Sequence, residues 1–71
     1  MGAVKHKFIF GKDYYLNMIK PIREELGKQL NKKIGVAKKN KDGTYTVTLE
    51  YWEMDAIDRI TEGVWRQNEV K

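Results

Sequence analysis

Seventy-one residues bound one small domain, residues 1–71, that buries only about 60% of the surface its unfolded chain exposes. The chain has no cysteine, which excludes a disulfide framework, thiolate metal sites and thiol catalysis, and no apolar run near the roughly 18–20 residues of a membrane span. The net charge of +4 is unevenly spread: residues 1–41 hold ten Lys and Arg23 against Asp13, Glu24 and Glu25, while in the remainder Asp42, Glu50, Glu53, Asp55, Asp58, Glu62 and Glu69 outweigh Arg59, Arg66 and Lys71 to give −4. Without a signal-peptide h-region, the expectation is a soluble, cytoplasmic protein with two differently charged surfaces.

Val4 to Phe10 alternates as a strand, with Val4, His6, Phe8 and Phe10 on one face and Lys5, Lys7 and Ile9 on the other. Gly11 ends it, and Asp13 is placed to cap a helix. Tyr15, Met18, Ile19, Ile22, Leu26 and Leu30 fall within about 120° on a helical wheel, which predicts a core-facing stripe. The stripe runs through Pro21, on the opposite side, which removes the hydrogen bond to the Asn17 carbonyl. One helix over about residues 14–31, bent away from the proline, accounts for this; a loop to Lys20 with a helix opening at Pro21 is the alternative.

Asp42-Gly43 is a strong two-residue turn signal. Centred there, a hairpin over residues 34–52 sets Lys41 against Thr44, Lys39 against Thr46, Val36 against Leu49 and Ile34 against Tyr51. One face then collects Ile34, Val36, Val47, Leu49 and Tyr51. The other collects Gly35, Ala37, Lys39, Thr46, Thr48 and Glu50. From Glu53 to about Asn68 a second helix is expected, with Ile57, Ile60, Thr61 and Val64 buried and Gly63 in its interior at a cost of about 1 kcal/mol relative to Ala. The order β-α-β-β-α predicts an α+β fold: a two-layer sandwich whose three-stranded sheet is covered on one face by two helices, with a right-handed crossover if strand 1 pairs in parallel.

Two surfaces stand out. The open sheet face should show Lys5, Lys7, Ile9, Lys39, Lys41, Thr44, Thr46 and Thr48, suited to phosphate contacts, though in this register it presents no aromatic for base stacking. With Lys33 and Lys38 these lysines form a candidate nucleic-acid surface, although edge lysines also guard strands against aggregation. On the second helix Asp55, Asp58, Glu62 and Glu69 form a band about 60° wide, with Arg59 and Arg66 beside it. Met54 and Trp65 lie on its shoulder, where Trp65 would anchor an interface with a charged rim. His6 is alone, without the partners of a metal site or a general base. No nucleophile constellation or phosphate loop is present, and the chain reads as a protein without enzymatic activity or cofactor.

The run Asp58-Arg59-Ile60-Thr61-Glu62 with Trp65 following resembles the last helix of the DinI-like family of DNA-damage-inducible proteins, small β-α-β-β-α regulators. Glu25-Leu26-Gly27-Lys28-Gln29-Leu30 is similar to that family's Glu-Leu-x-basic-x-aliphatic helix ending. The resemblance implies a non-enzymatic modulator of the RecA recombinase filament, whose acidic last helix stands in for DNA or docks on the recombinase. Asp55, Asp58, Glu62 and Glu69, with Trp65 beside them, would inherit that role. The family is acidic overall, whereas this chain is +4, and that departure leaves room for direct contact with nucleic acid.

The leading expectation is a small regulatory module, of a kind suited to a bacterium or phage, that binds and modulates a protein or nucleoprotein partner, including as an inhibitor of a host or defence protein. It would do so through the acidic C-terminal helix. The alternative is a basic nucleic-acid-binding domain. The exposed edges of a three-stranded sheet also allow a homodimer.

Overall fold

The computed structural model describes residues 4–70. Strand β1 (Lys5–Phe10) leads into a continuous helix α1, residues 12–30, followed by β2 (Val36–Lys39), β3 (Tyr45–Glu50), α2 (Tyr51–Thr61) and the short α3 (Val64–Gln67). The α+β order expected from the sequence is present. The sheet order is β1-β3-β2 with both pairs antiparallel, so strand 1 does not pair in parallel with a hairpin strand among the described residues, and β1 lies across the central strand from β2.

Helix α1 passes through Pro21. The missing proline N–H is absorbed by widening the preceding turn: Tyr15–Ile19 is a π segment in which the Lys20 N–H bonds to the Tyr15 carbonyl, five residues back. Gly11, not Asp13, is the N-cap residue, and Asp13 sits in the first turn. The helix ends at Asn31 (φ 54°), whose N–H returns to the Gly27 carbonyl. Tyr15, Ile19 and Leu26 are buried, whereas Met18 and Leu30, expected inside, are about half exposed.

The hairpin is present but its register differs by one residue from the two-residue-turn prediction. Asn40 and Thr44 close a three-residue loop, with Asn40 N–H donating to the Thr44 carbonyl (2.8 Å) and Gly43 N–H to the Asn40 carbonyl (3.1 Å). Gly43 takes φ +90°, the left-handed position such a loop reserves for glycine. The Asn40 amide also bonds the hydroxyls of Thr44 and Thr46 (3.0 and 2.9 Å), an arrangement specific to this closure.

A one-residue slip turns a strand over, and β2 is turned over relative to the expectation. Ala37 faces inward opposite Val47, while Val36, opposite Thr48, is 52% exposed. Lys38, not Lys39, lies on the open face opposite Thr46; Lys39 is opposite Tyr45, on the helix side. Ile34 is nonetheless buried, because Gly35 (φ +64°) reverses the chain just before β2. Tyr51 is not a strand residue but opens α2, and it is exposed.

Gly35 sits where no side chain fits. A Cβ there would lie 2.6 Å from Leu49 Cδ2 and 2.9 Å from the Thr48 carbonyl. Its neighbours hold it from two sides. Arg23 donates through Nε to the Ile34 carbonyl (2.8 Å) and through a terminal nitrogen to the Gly35 carbonyl (3.3 Å). Glu53, 5% exposed, accepts the Gly35 N–H (2.7 Å).

The core joins the inner faces of β1 and β3 to the helices. Phe10, Val47, Leu49, Ile19, Ile57 and Trp65 are its largest fully buried side chains, and Tyr15 stacks on Tyr45 at 4.2 Å between ring centroids.

Gly35→Ala should destabilise the protein by about 2–4 kcal/mol, combining left-handed strain with the clash against β3. In urea unfolding, a loss under about 1 kcal/mol would count against this account. At the hairpin tip, Asp42 accepts the Thr44 hydroxyl and the Thr44 N–H (3.0 Å to the latter), which together hold its carboxyl below the usual carboxylate range. Its contribution to hairpin stability should therefore be complete above about pH 4 and be lost as pH falls through the lowered midpoint. Carbon-detected NMR titration should show that midpoint moving up in Thr44→Val.

Candidate functional site

The C-terminal helices are built differently from the single amphipathic helix the sequence suggests. Helix α2 starts at Tyr51 because Glu50 and Glu53 form a reciprocal capping box, with Glu53 accepting the Glu50 N–H at 2.7 Å. It stops where Glu62 (φ 55°) and Gly63 (φ 80°) turn the chain. The predicted helix over residues 53–68 is thus two helices, and its faces do not continue from one to the other.

The break carries Trp65 into the core. It is fully buried, 4.7 Å from the Phe8 ring in an edge-on contact and 5.9 Å from Phe10. The expectation of Trp65 as a surface anchor is corrected: the inner face of β1 needs a large aromatic over Phe8 and Phe10, and Trp65 supplies it. Met54 is buried as well. Asp58 works internally, accepting the Trp65 indole N–H on one oxygen and Arg66 on the other (2.7 Å). Asp55 pairs with Arg59 one turn along the exposed face (3.2 Å). Glu62 lies at the break, and Glu69 lies beyond α3 in a bridge to Phe10. The four acids do not form one band. Ile60 and Val64, expected inside, are about half exposed.

The lysines fare differently. Lys5 and Lys7 project from the open sheet face, in register with Glu50 and Thr48, and Lys38 joins them from β2 opposite Thr46. Lys33 lies at the end of this face. Lys39 and Lys41 do not join it, the first turned to the helix side and the second at the hairpin tip. All six are exposed. Among the described residues the two ion pairs are Asp55–Arg59 and Asp58–Arg66, and neither involves a lysine.

An open cleft of about 250 Å³ occupies the end of this face, between the segment entering β2 and the start of α2. Lys5, Lys32 and Lys33 line it together with Val36, Thr48 and Trp52. Trp52 is 37% exposed, its indole N–H held by Glu50 (2.8 Å), and the Lys32 ammonium lies 4.3 Å from the ring centroid. Sequence reasoning sets Lys32 in the basic Lys32-Lys33 run beside the hairpin but passes over Trp52, and does not bring the two together. The signal that could have found them is the Glu50-x-x-Glu53 box, which starts a helix at Tyr51 and leaves Trp52 in its first turn, at the end of the sheet.

No His, Cys, Asp or Glu cluster among the described residues could hold a metal ion, and no helix among them is long and apolar enough to cross a membrane. No family model, curated protein or solved structure matches the chain. The DinI-like resemblance therefore stands on the sequence residues that carry it.

Asp58→Ala should cost about 1–3 kcal/mol by leaving the buried Trp65 N–H without a partner. Asp55→Ala, which removes only an exposed pair, should stay within about 0.5 kcal/mol. Denaturant melts of the two variants that coincide would remove the internal role assigned to Asp58.

Proposed function

We propose that this protein is a small, non-enzymatic nucleic-acid-binding module that uses the open face of its sheet. The supporting observation is the set of exposed lysines on that face and at its end, Lys5, Lys7, Lys32, Lys33 and Lys38, none of which has an ion-pair partner among the described residues. Phosphate neutralisation by such groups supplies affinity that does not depend on base sequence. Thr48 lies among them as a further donor to phosphate or base edges, whereas the Thr46 hydroxyl is already engaged by Asn40.

A second reading retains a regulatory role on a protein or nucleoprotein partner through the C-terminal helices. With Trp65 in the core and Asp58 bound to it, the surface left for such a partner is Asp55 and Glu62 with the half-exposed Ile60 and Val64. This is a smaller and less ordered patch than a continuous acidic helix would offer. The observations favour the sheet face.

Binding to short single- and double-stranded DNA and RNA at about 50 and 200 mM salt tests the reading. The expected result is a steep loss of affinity between them, with a log–log slope near −0.9 per contact on duplex and about −0.7 on single strands. The double variant Lys7→Glu/Lys38→Glu should abolish binding at the higher salt, whereas Lys39→Glu should do little. An absence of binding at low salt would end this reading and bring the helix surface forward.

A further inference from the structure

The cleft beside Trp52 has the composition of a subsite for one unpaired base. It combines a half-open aromatic face, a small apolar wall at Val36 and three lysines on its rim. Its volume falls just below the ~300–1,000 Å³ of sites for drug-sized ligands, which suits a single planar ring with its flanking phosphate better than a large cofactor.

The carboxylates that also line the cleft are hydrogen-bonded to donors of the protein itself. Both Glu53 oxygens accept backbone N–H groups, from Gly35 and Glu50, and Glu50 accepts the Trp52 indole N–H. That last bond fixes the plane of the indole before any ligand arrives. The lysines carry no such bonds to protein carboxylates among the described residues.

We propose that this cleft receives an unpaired nucleobase of a single-stranded segment, stacked on Trp52, with the adjoining phosphates on Lys5, Lys32 and Lys33. The inference rests on the nucleic-acid reading of the sheet face and adds a preference for single strands to it. Lys32 covers the indole in the free protein, and a cation over an exposed ring is held only weakly. Base stacking on an aromatic side chain is the stronger contact. The exchange favours the base, and the displaced ammonium remains within the cleft to meet the phosphate. A base held in a duplex cannot reach the ring without unpairing.

Intrinsic fluorescence tests this directly, because the protein has two tryptophans and Trp65 is fully buried. The probes are oligothymidine, oligouridine and a blunt DNA duplex of equal length, at low salt. Both single strands should quench the emission and the duplex should not; a response to only one of the strands assigns the subsite to DNA or to RNA. Trp52→Leu should abolish the quenching and weaken single-strand binding about tenfold or more, with duplex affinity unchanged, and Trp52→Phe should restore most of the single-strand affinity but not the quenching. Single strands that bind without quenching, or a Trp52→Leu variant of wild-type affinity, would overturn the base subsite and leave the sheet-face reading standing. Equal quenching by duplex would overturn the requirement for an unpaired base. Failure of every probe to bind the wild-type protein at low salt would remove both proposals together.

Discussion

The Glu53 carboxylate decides how the second half of the molecule is arranged. One oxygen accepts the Glu50 N–H and starts α2 one residue after β3 ends; the other accepts the Gly35 N–H and sets the level at which the chain enters β2. A carboxylate bonded to two backbone donors in a nearly closed site is a strong, directional clamp, and removing it would leave both donors short of a partner. Arg23 completes the arrangement from α1 by taking the carbonyls of Ile34 and Gly35 and the Tyr15 hydroxyl. Two helices are thus fastened to one left-handed glycine at the entrance to β2. The orientation of β2, the burial of Ile34 and the walls of the cleft all follow from where that glycine is held.

Patterns that depend on local periodicity were legible in the sequence. The alternation of β1 placed Phe8 and Phe10 inward and Lys5, Lys7 and Ile9 outward, as the structure has them, because nothing interrupts that strand. The passage of α1 through Pro21 was legible too, since Ile19, Ile22 and Leu26 keep one face across it. The π turn that accommodates the proline leaves no periodic mark. The hairpin register was not legible, because Asp-Gly serves a two-residue loop and also the last positions of a three-residue one. The choice was made by the Asn40 side chain and by Gly35, both outside the turn itself.

The candidate site shows the same division. Tryptophan alone does not reveal its side of a helix when the helix breaks. An uninterrupted helix sets Trp65 beside the acids, and two residues with positive φ at Glu62 and Gly63 set it under β1 instead. The acids nearest it then become internal partners. Trp52 gave the opposite impression, lying in a run that reads as strand, yet it is the one placed beside the lysines. Both errors trace to element ends, where caps and left-handed residues outweigh periodicity.

The charge imbalance between the two halves of the chain becomes a spatial one. Arg59 and Arg66 each pair with an acid on the C-terminal helices, so that side is partly self-neutralised. The lysines on the sheet face have no such partners among the described residues, and clustered like charge works against the folded state. A surface needing only solubility is better served by interspersed signs. Edge protection explains Lys38 and Lys39 on β2, the outer strand without a further partner among the described residues, while the other outer strand is partly covered where Val70 N–H bonds the Ile9 carbonyl at 2.7 Å. It does not explain Lys32 and Lys33, which precede β2 and face a cleft containing an oriented indole. An anionic ligand with planar rings accounts for the lysines and the indole together.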